Sequence, residues 1–298
     1  MRHVVCGGLR LIQAMSRLGH KYERWENGRA RRAGIDRTPE EFAETMNYRN
    51  AGVLESRERF LSERCSAAWI RELNGIFQTR LAPNRRALFI GSGLGEHEVP
   101  LAIRGFNVVA SDIFPEGLEE TRRLFPELQI RRLDILNPPA EARGAFDDVV
   151  DGGLTFYYDD AAVVAVLKAM KGTVRSGGRV FVVHRYNDTA LTWWIDRWVL
   201  PLEAFLKNTV QWARRSPARF VRKTHGFRRS VSEMTALAAA AGLRARGVFF
   251  AGHGWELNRS ALLSRLRFPI PLAGTVDRWL HQLQAVTVFE FTPEEGAA

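Results

Sequence analysis

Ala87-Leu88-Phe89-Ile90-Gly91-Ser92-Gly93-Leu94-Gly95-Glu96 is the stretch on which the fold turns. Four apolar residues, the length of a short buried strand, stop at a glycine, and glycine returns at the next two alternate positions. Such a turn lets the backbone come close to a ligand and aims the N-terminus of the following helix at it. In isolation the pattern is common, and its surroundings give it weight. Glu96–Arg104 reads as a helix and Phe106–Ala110 as a second strand. That strand runs into Ser111-Asp112, with Asp112 placed 21 residues after the first glycine. An acid at the end of the second strand of a doubly wound sheet can accept hydrogen bonds from both hydroxyls of a ribose.

Working outward, the same texture continues. Glu116–Phe125 reads as a helix, Ile130–Leu133 as a strand, Phe146–Asp151 as a strand, Asp160–Val174 as a helix and Arg179–His184 as a strand. Short apolar runs alternating with helical periodicity at this spacing predict a parallel sheet with helices on both faces. The rhythm breaks at 189–226 and resumes with a helix at Ser230–Ala241 and strands at Leu243–Phe250 and Val286–Phe291. Residues 1–80 lack strand alternation. They contain a helix start at Thr38-Pro39-Glu40-Glu41, where Thr38 can cap and the acids complement the helix dipole, and a longer helix from Arg57 to Gln78. The expected organisation is a helical N-terminal cap (1–80) followed by an α/β domain (81–298) with an inserted lid at about 189–226.

Two cofactor classes use such a glycine turn. The dinucleotide fingerprint places glycines first, third and sixth, the last for tight helix–strand packing. Counted from Gly91, the sixth residue is Glu96, and the third glycine falls one place early, at Gly95. The chain instead resembles the class I S-adenosylmethionine-dependent methyltransferases. The resemblance rests on Ala87–Gly95, Val108–Asp112, Arg132-Leu133-Asp134-Ile135, Phe146–Val150 and Ser176-Gly177-Gly178-Arg179-Val180, five pieces in the family's order. It implies a Rossmann-like sheet of seven strands with the last antiparallel, and S-adenosyl-L-methionine as cofactor. It further implies cofactor contacts from Gly91, Ser92, Gly93 and Gly95, from Asp112 and Ile113 at the ribose, from Asp134 and Ile135 at the adenine, and from Gly152 beyond the fourth strand. One place departs from the family pattern. The acid usual two residues before the first glycine is Phe89 here, which leaves Glu96 and Glu98 as candidates for its role.

Methyl transfer from a sulfonium is an in-line displacement, so the protein must align acceptor and methyl and, for a hydroxyl acceptor, take a proton. The Asn-Pro-Pro-Tyr-type motif of base and amide methyltransferases belongs after the fourth strand, where this chain reads Asp151-Gly152-Gly153-Leu154-Thr155-Phe156-Tyr157-Tyr158. Asn137-Pro138-Pro139 continues with Ala140 and reads as a turn. The catalytic candidates are His184 at the end of the fifth strand, His225 after the insertion and Tyr157, with Tyr158 beside it and His253 as a weaker one. No His/Cys/Asp cluster has metal-ligand spacing, so no metal is expected. The insertion holds Trp193, Trp194, Trp198 and Trp212. It fits a small apolar or aromatic acceptor taken up under a lid; the alternative, from arginines interleaved with tryptophans, is a peripheral membrane contact and a lipid or lipid-linked acceptor. The readings from other classes are an NAD(P)-dependent oxidoreductase and a cofactor-binding protein without turnover.

Composition bounds these readings. The chain has 298 residues and a net charge of +10, and only five of its 43 basic residues are lysine. The sequence pI is about 10.3. There is no long Lys/Arg run of the kind nucleic-acid tails carry, so a small-molecule substrate is expected rather than nucleic acid. The two cysteines, Cys6 and Cys65, read as free thiols. No apolar run approaches the roughly 20 residues of a membrane span. The protein therefore reads as cytoplasmic, with the oligomeric state left open.

Overall fold

A computed structural model describes residues 55–66, 68–155, 158–185, 194–213, 229–253 and 284–294. The expected helix start at Thr38 and the residues Cys6, Tyr157, Trp193 and His225 lie outside that set. The chain divides into two compact units. One combines 38–187, 227–252 and 285–298, and the other combines 1–37, 188–226 and 253–284. The helices at Arg57–Arg80 thus fall in the same unit as the sheet.

In the first unit, α1 (Arg57–Phe60) begins at Ser56, whose hydroxyl accepts from the Arg59 amide at 3.1 Å, and runs into a wider turn at Leu61–Cys65. Then follow α2 (Ala68–Arg80), β1 (Ala87–Ile90), α3 (Glu98–Ile103), β2 (Val108–Asp112), α4 (Glu116–Leu124) and β3 (Gln129–Arg132). β4 (Phe146–Asp151), α5 (Asp160–Thr173) and β5 (Val174–Arg185) complete the parallel part. α5 starts where the Asp159 carboxylate accepts from the Ala162 amide at 3.0 Å. After the other unit's segment, the chain returns with α7 (Val231–Ala240), β6 (Leu243–His253) and β7 (Gln284–Pro293). A reciprocal Ser230–Glu233 capping box opens α7.

The seven strands lie in the order β3-β2-β1-β4-β5-β7-β6. β1, β2, β3, β4 and β5 pair in parallel, and β7 runs antiparallel to β5, with Val182 opposite Phe289 and His184 opposite Thr287. The seven-stranded sheet with an antiparallel last strand is the one the resemblance implies. Burial follows from position. Every residue of β1 and of β4 is buried, the aspartates of β4 included, as central strands of a parallel sheet covered on both faces are, whereas edge strand β3 is not. One face packs Leu88, Val149, Val180 and Phe289 against Val163, Leu167 and Met170 of α5 and Met234 of α7. Alternation puts Phe89 on the other face, where its ring meets Phe77 of α2 at 5.4 Å. The described part of the second unit is α6 (Leu200–Ala213), the turn before it at residues 194–199, and the single strand residues His253 and Gln284.

Candidate cofactor and acceptor site

The strand order reverses between β1 and β4, the place where open α/β sheets hold ligands beyond their carboxyl ends. Register brings the sequence candidates to that edge. Ile90, the residue before Gly91, pairs with Ser111 on one side and with Asp151, the residue before Gly152, on the other. Asp112 pairs with Arg132, and its carbonyl accepts from the Leu133 amide at 3.0 Å, which carries the chain on to Asp134. The ends of β3, β2, β1 and β4 therefore present Asp134, Asp112, Gly91–Gly95 and Gly152 side by side.

Gly91, Gly93 and Gly95 all take positive φ, at 63°, 58° and 78°, a conformation that side-chain-bearing residues rarely adopt. Their surroundings differ. A Cβ on Gly91 would stand 3.2 Å from Leu154, and one on Gly95 would stand 3.4 Å from both Leu118 and Leu128. A Cβ on Gly93 would meet nothing within 4 Å. Gly91 and Gly95 are thus packing glycines, and Gly93 faces the opening. The Gly93 amide donates to one oxygen of Asp112 at 2.9 Å, and the Phe114 amide donates to the other at 3.1 Å. Burial pushes the Asp112 pKa up, against these amides, which lower it. Ser92 ties the turn to β2: its amide donates to the Ser111 carbonyl at 3.0 Å, and its hydroxyl accepts from the Ser111 amide at 3.1 Å.

Next to Asp112, Ile113 is 41% exposed and Leu136 is 49% exposed, two apolar side chains fit to bracket a flat ring. Ile135, the expected contact, is buried in the core instead. The Asp134 carboxylate accepts from the Leu136 amide at 3.0 Å and the Asn137 side-chain amide at 2.7 Å, which explains the Asn137-Pro138-Pro139 turn. The exposure of Leu136 depends on where β3 ends, which apolar periodicity does not fix.

Behind the turn, Phe89 is buried, so no carboxylate reaches the cofactor edge from the family's usual position. Neither replacement is a free acid. Glu96 pairs with Arg64 at 3.3 Å. Glu98 is buried to 1% exposure on the inner side of the turn, where it engages the Ser92 hydroxyl and accepts from the His97 amide at 3.2 Å. Burial lifts its pKa to about 7. Burial also raises Cys65, to about 12, with the Glu96 and Glu98 charges adding to the effect, so this thiol is inert.

His184 lies fully buried across from Thr287. Burial, then the nearby Arg229 charge, holds its pKa down to about 3. It is a neutral imidazole inside the sheet layer and a weak base, an environment that the end-of-strand position did not reveal. A different histidine stands at the β4 edge. His97 packs edge-on against Trp69 of α2, with ring centroids 5.6 Å apart, and its Cδ2 lies 3.9 Å from where a Gly152 Cβ would be. No strand-end or motif position singles it out in the sequence. Beyond Gly152 the segment is organised from within. The Asp151 carboxylate accepts the Gly153 amide at 2.9 Å and the Thr155 amide at 3.1 Å. Buried Arg229 binds the carbonyls of Thr155 at 3.3 Å and Tyr158 at 2.6 Å while pairing with Asp160 at 2.8 Å. The Tyr158 hydroxyl is held protonated by burial and by the carboxylates of Asp151, Asp134 and Asp112. Among the described residues, no group of His, Cys, Asp and Glu side chains is placed to hold a metal ion.

Comparison with solved structures identifies the fold. The 1,6-didemethyltoxoflavin-N1-methyltransferase of Burkholderia thailandensis, solved with 1,6-didemethyltoxoflavin and S-adenosylhomocysteine bound, superposes with a TM-score of 0.50 at 15% identity, over 87% of this chain and 92% of that one. A chain from the Haloferax volcanii complex containing the Trm112 methyltransferase activator superposes with a TM-score of 0.50 at 13% identity, over 83% and 97%. The chain has the Rossmann-like methyltransferase fold. No protein-family model matches the sequence, and no curated protein does. At these identities the likeness is one of fold, so the chemistry rests on the residues above. Among the described residues, no helix of this methyltransferase-fold chain is long and apolar enough to cross a membrane.

Proposed function

We propose that the protein is an S-adenosylmethionine-dependent methyltransferase that methylates an oxygen or nitrogen of a small apolar or aromatic molecule. The observation that carries the reading is the Gly93–Asp112 pair. A backbone amide and a carboxylate are held together at 2.9 Å, beside open space at Gly93, at the switch point of a sheet whose last strand is antiparallel. Asp112 receives the ribose hydroxyls, Ile113 and Leu136 flank the adenine, and Asp134 stands beside its edge. The methionine part extends past Gly91 toward Gly152. The acceptor meets the methyl group beyond β4, near Gly152 and His97, where the apolar rings of Trp69 and Phe77 back the imidazole. The acceptor's lone pair forms the new bond to the methyl carbon as the carbon–sulfur bond breaks, and S-adenosylhomocysteine leaves. A hydroxyl acceptor gives its proton to a base on this side of the sheet, where His97, itself buried, borders Gly152, whereas His184 lies within the sheet layer.

The nicotinamide reading is weaker on two counts. Glu96 occupies the place of the third fingerprint glycine, and β7 intervenes antiparallel between β5 and β6 where the dinucleotide fold has an all-parallel order. Isothermal titration with S-adenosylhomocysteine and with NAD(H) tests the proposal. Saturable S-adenosylhomocysteine binding is expected. Binding of NAD(H) with no heat from S-adenosylhomocysteine would overturn it.

A further inference from the structure

α6 shows water the face that a globular protein normally hides. Leu202 and Phe205 are 46% exposed, Leu206 48% and Val210 50%. Trp212 is 80% exposed, and Trp198, one turn before the helix, is 39% exposed. At 100° per residue these side chains share one sector of the helix. The Glu203–Lys207 pair and Asn208 lie on the other side, and one polar residue, exposed Thr209, falls inside the sector, its hydroxyl donating to the Phe205 carbonyl at 2.9 Å. Glu203 is 13% exposed and pairs with Lys207 at 2.6 Å, with Asn208 one position on and half-buried. A helix of a water-facing surface has the reverse arrangement. A contiguous strip of this many large apolar side chains marks a contact surface rather than scattered exposure.

Charge identifies the occupant. Residues 189–226 carry seven basic side chains and two acidic ones, within a chain of net charge +10. A second copy would set two such basic segments against each other. An anionic bilayer offers the complementary charge and an apolar layer at the depth the strip needs. The tryptophans stand at both ends of the strip, the residue type that settles at the headgroup level. We propose that α6 binds in the plane of an anionic membrane surface, with Leu202, Phe205, Leu206 and Val210 in the headgroup–acyl boundary. The inference is independent of the methyl-transfer chemistry, and its test needs no cofactor.

The test is co-sedimentation of the full chain with phosphatidylcholine vesicles, with and without phosphatidylglycerol. The expected result is pelleting with the anionic vesicles, about ten-fold weaker binding to neutral ones, and a blue shift of tryptophan emission on binding. The double variant Phe205→Asp/Leu206→Asp should lose about ten-fold or more of the anionic binding with an unchanged melting temperature. Should that variant unfold, Trp212→Ala at the most exposed position serves instead, and a clear fall in anionic binding is expected. Equal binding to both vesicle types, or none to either, would overturn the proposal. So would a dimer in light scattering that Phe205→Asp/Leu206→Asp converts to monomer, because the strip would then be a self-association face.

Discussion

Glu98→Gln isolates the energetic cost built into the glycine turn. Glutamine keeps the size of the side chain and can still bond the Ser92 hydroxyl, so the substitution removes only the charge. The Glu98 carboxyl goes from an ordinary 4.5 to about 7 on folding, chiefly through burial. Because the folded value is the higher one, native protein holds this proton more tightly than unfolded chain does. The group costs nothing below pH 4.5, and stability falls as pH rises to 7. The 2.5-unit gap corresponds to about 3 kcal/mol at 1.36 kcal/mol per unit. Glu98→Gln should therefore stabilise the protein by about 3 kcal/mol at pH 8.5, a rise in Tm of roughly 5–10 °C for a chain of this size. The gain should shrink below about 1 kcal/mol at pH 5. Differential scanning calorimetry of both proteins from pH 5 to 8.5 reads the difference directly. A gain that does not change with pH, or a loss of stability at pH 8.5, would refute the assignment of a carboxyl titrating near neutrality at this site.

Four further outcomes follow from the same geometry. Asp112→Ala should weaken S-adenosylhomocysteine binding about 100-fold by isothermal titration, because two charge-assisted hydrogen bonds are lost. Gly93→Val should abolish that binding, whereas Gly105→Ala, at φ 81° and away from the cofactor edge, should cost a similar backbone strain and leave affinity unchanged. Asp148→Ala should destabilise by about 3 kcal/mol in urea titrations without changing cofactor affinity. It strands Arg85 and Arg179, which bond the buried Asp148 carboxylate at 2.9 and 2.8 Å near the opposite end of the strands. Arg229→Gln should speed hydrogen exchange at Gly153 and Tyr158 about ten-fold or more, since their segment loses its clamp.

The sheet was legible because its signals are local and repeated. Runs such as Ala87–Ile90 name themselves as strands by apolar content, and the Gly91–Gly95 turn and Asp112 fix which strands come first and second. The helices at Asp160–Val174 and Ser230–Ala241 were legible as helices, and the structure adds their caps, the Asp159 carboxylate and the Ser230 hydroxyl. The site was legible only where a backbone conformation demands a residue type, as at Gly93, or where a strand end fixes an acid, as at Asp112. Contacts that depend on which side chains meet across elements were not. His97 gains its place from Trp69 of α2 and Gly152 just past β4, and Arg229 gains its place from carbonyls about 70 residues earlier in the chain.

Phe89 illustrates how far that difference reaches. From the sequence it is a missing acid, and the natural remedy is another acid close by, Glu96 or Glu98. The structure puts the deficit in a different light. Phe89 is one of the rings that seat α2 on the sheet, through Phe77, and α2 in turn brings Trp69 against His97 at the β4 edge. A carboxylate at 89 would sit in that apolar contact with no partner and would cost several kcal/mol as a buried charge. Glu98 already bears a milder form of that cost on the inner side of the turn. On the proposed reading, Phe89 exchanges a cofactor-facing carboxylate for a ring that seats the helix beside the acceptor. Two variants separate the roles: Phe77→Ala should loosen α2 and alter acceptor use while sparing S-adenosylhomocysteine affinity, and Asp112→Ala should do the reverse.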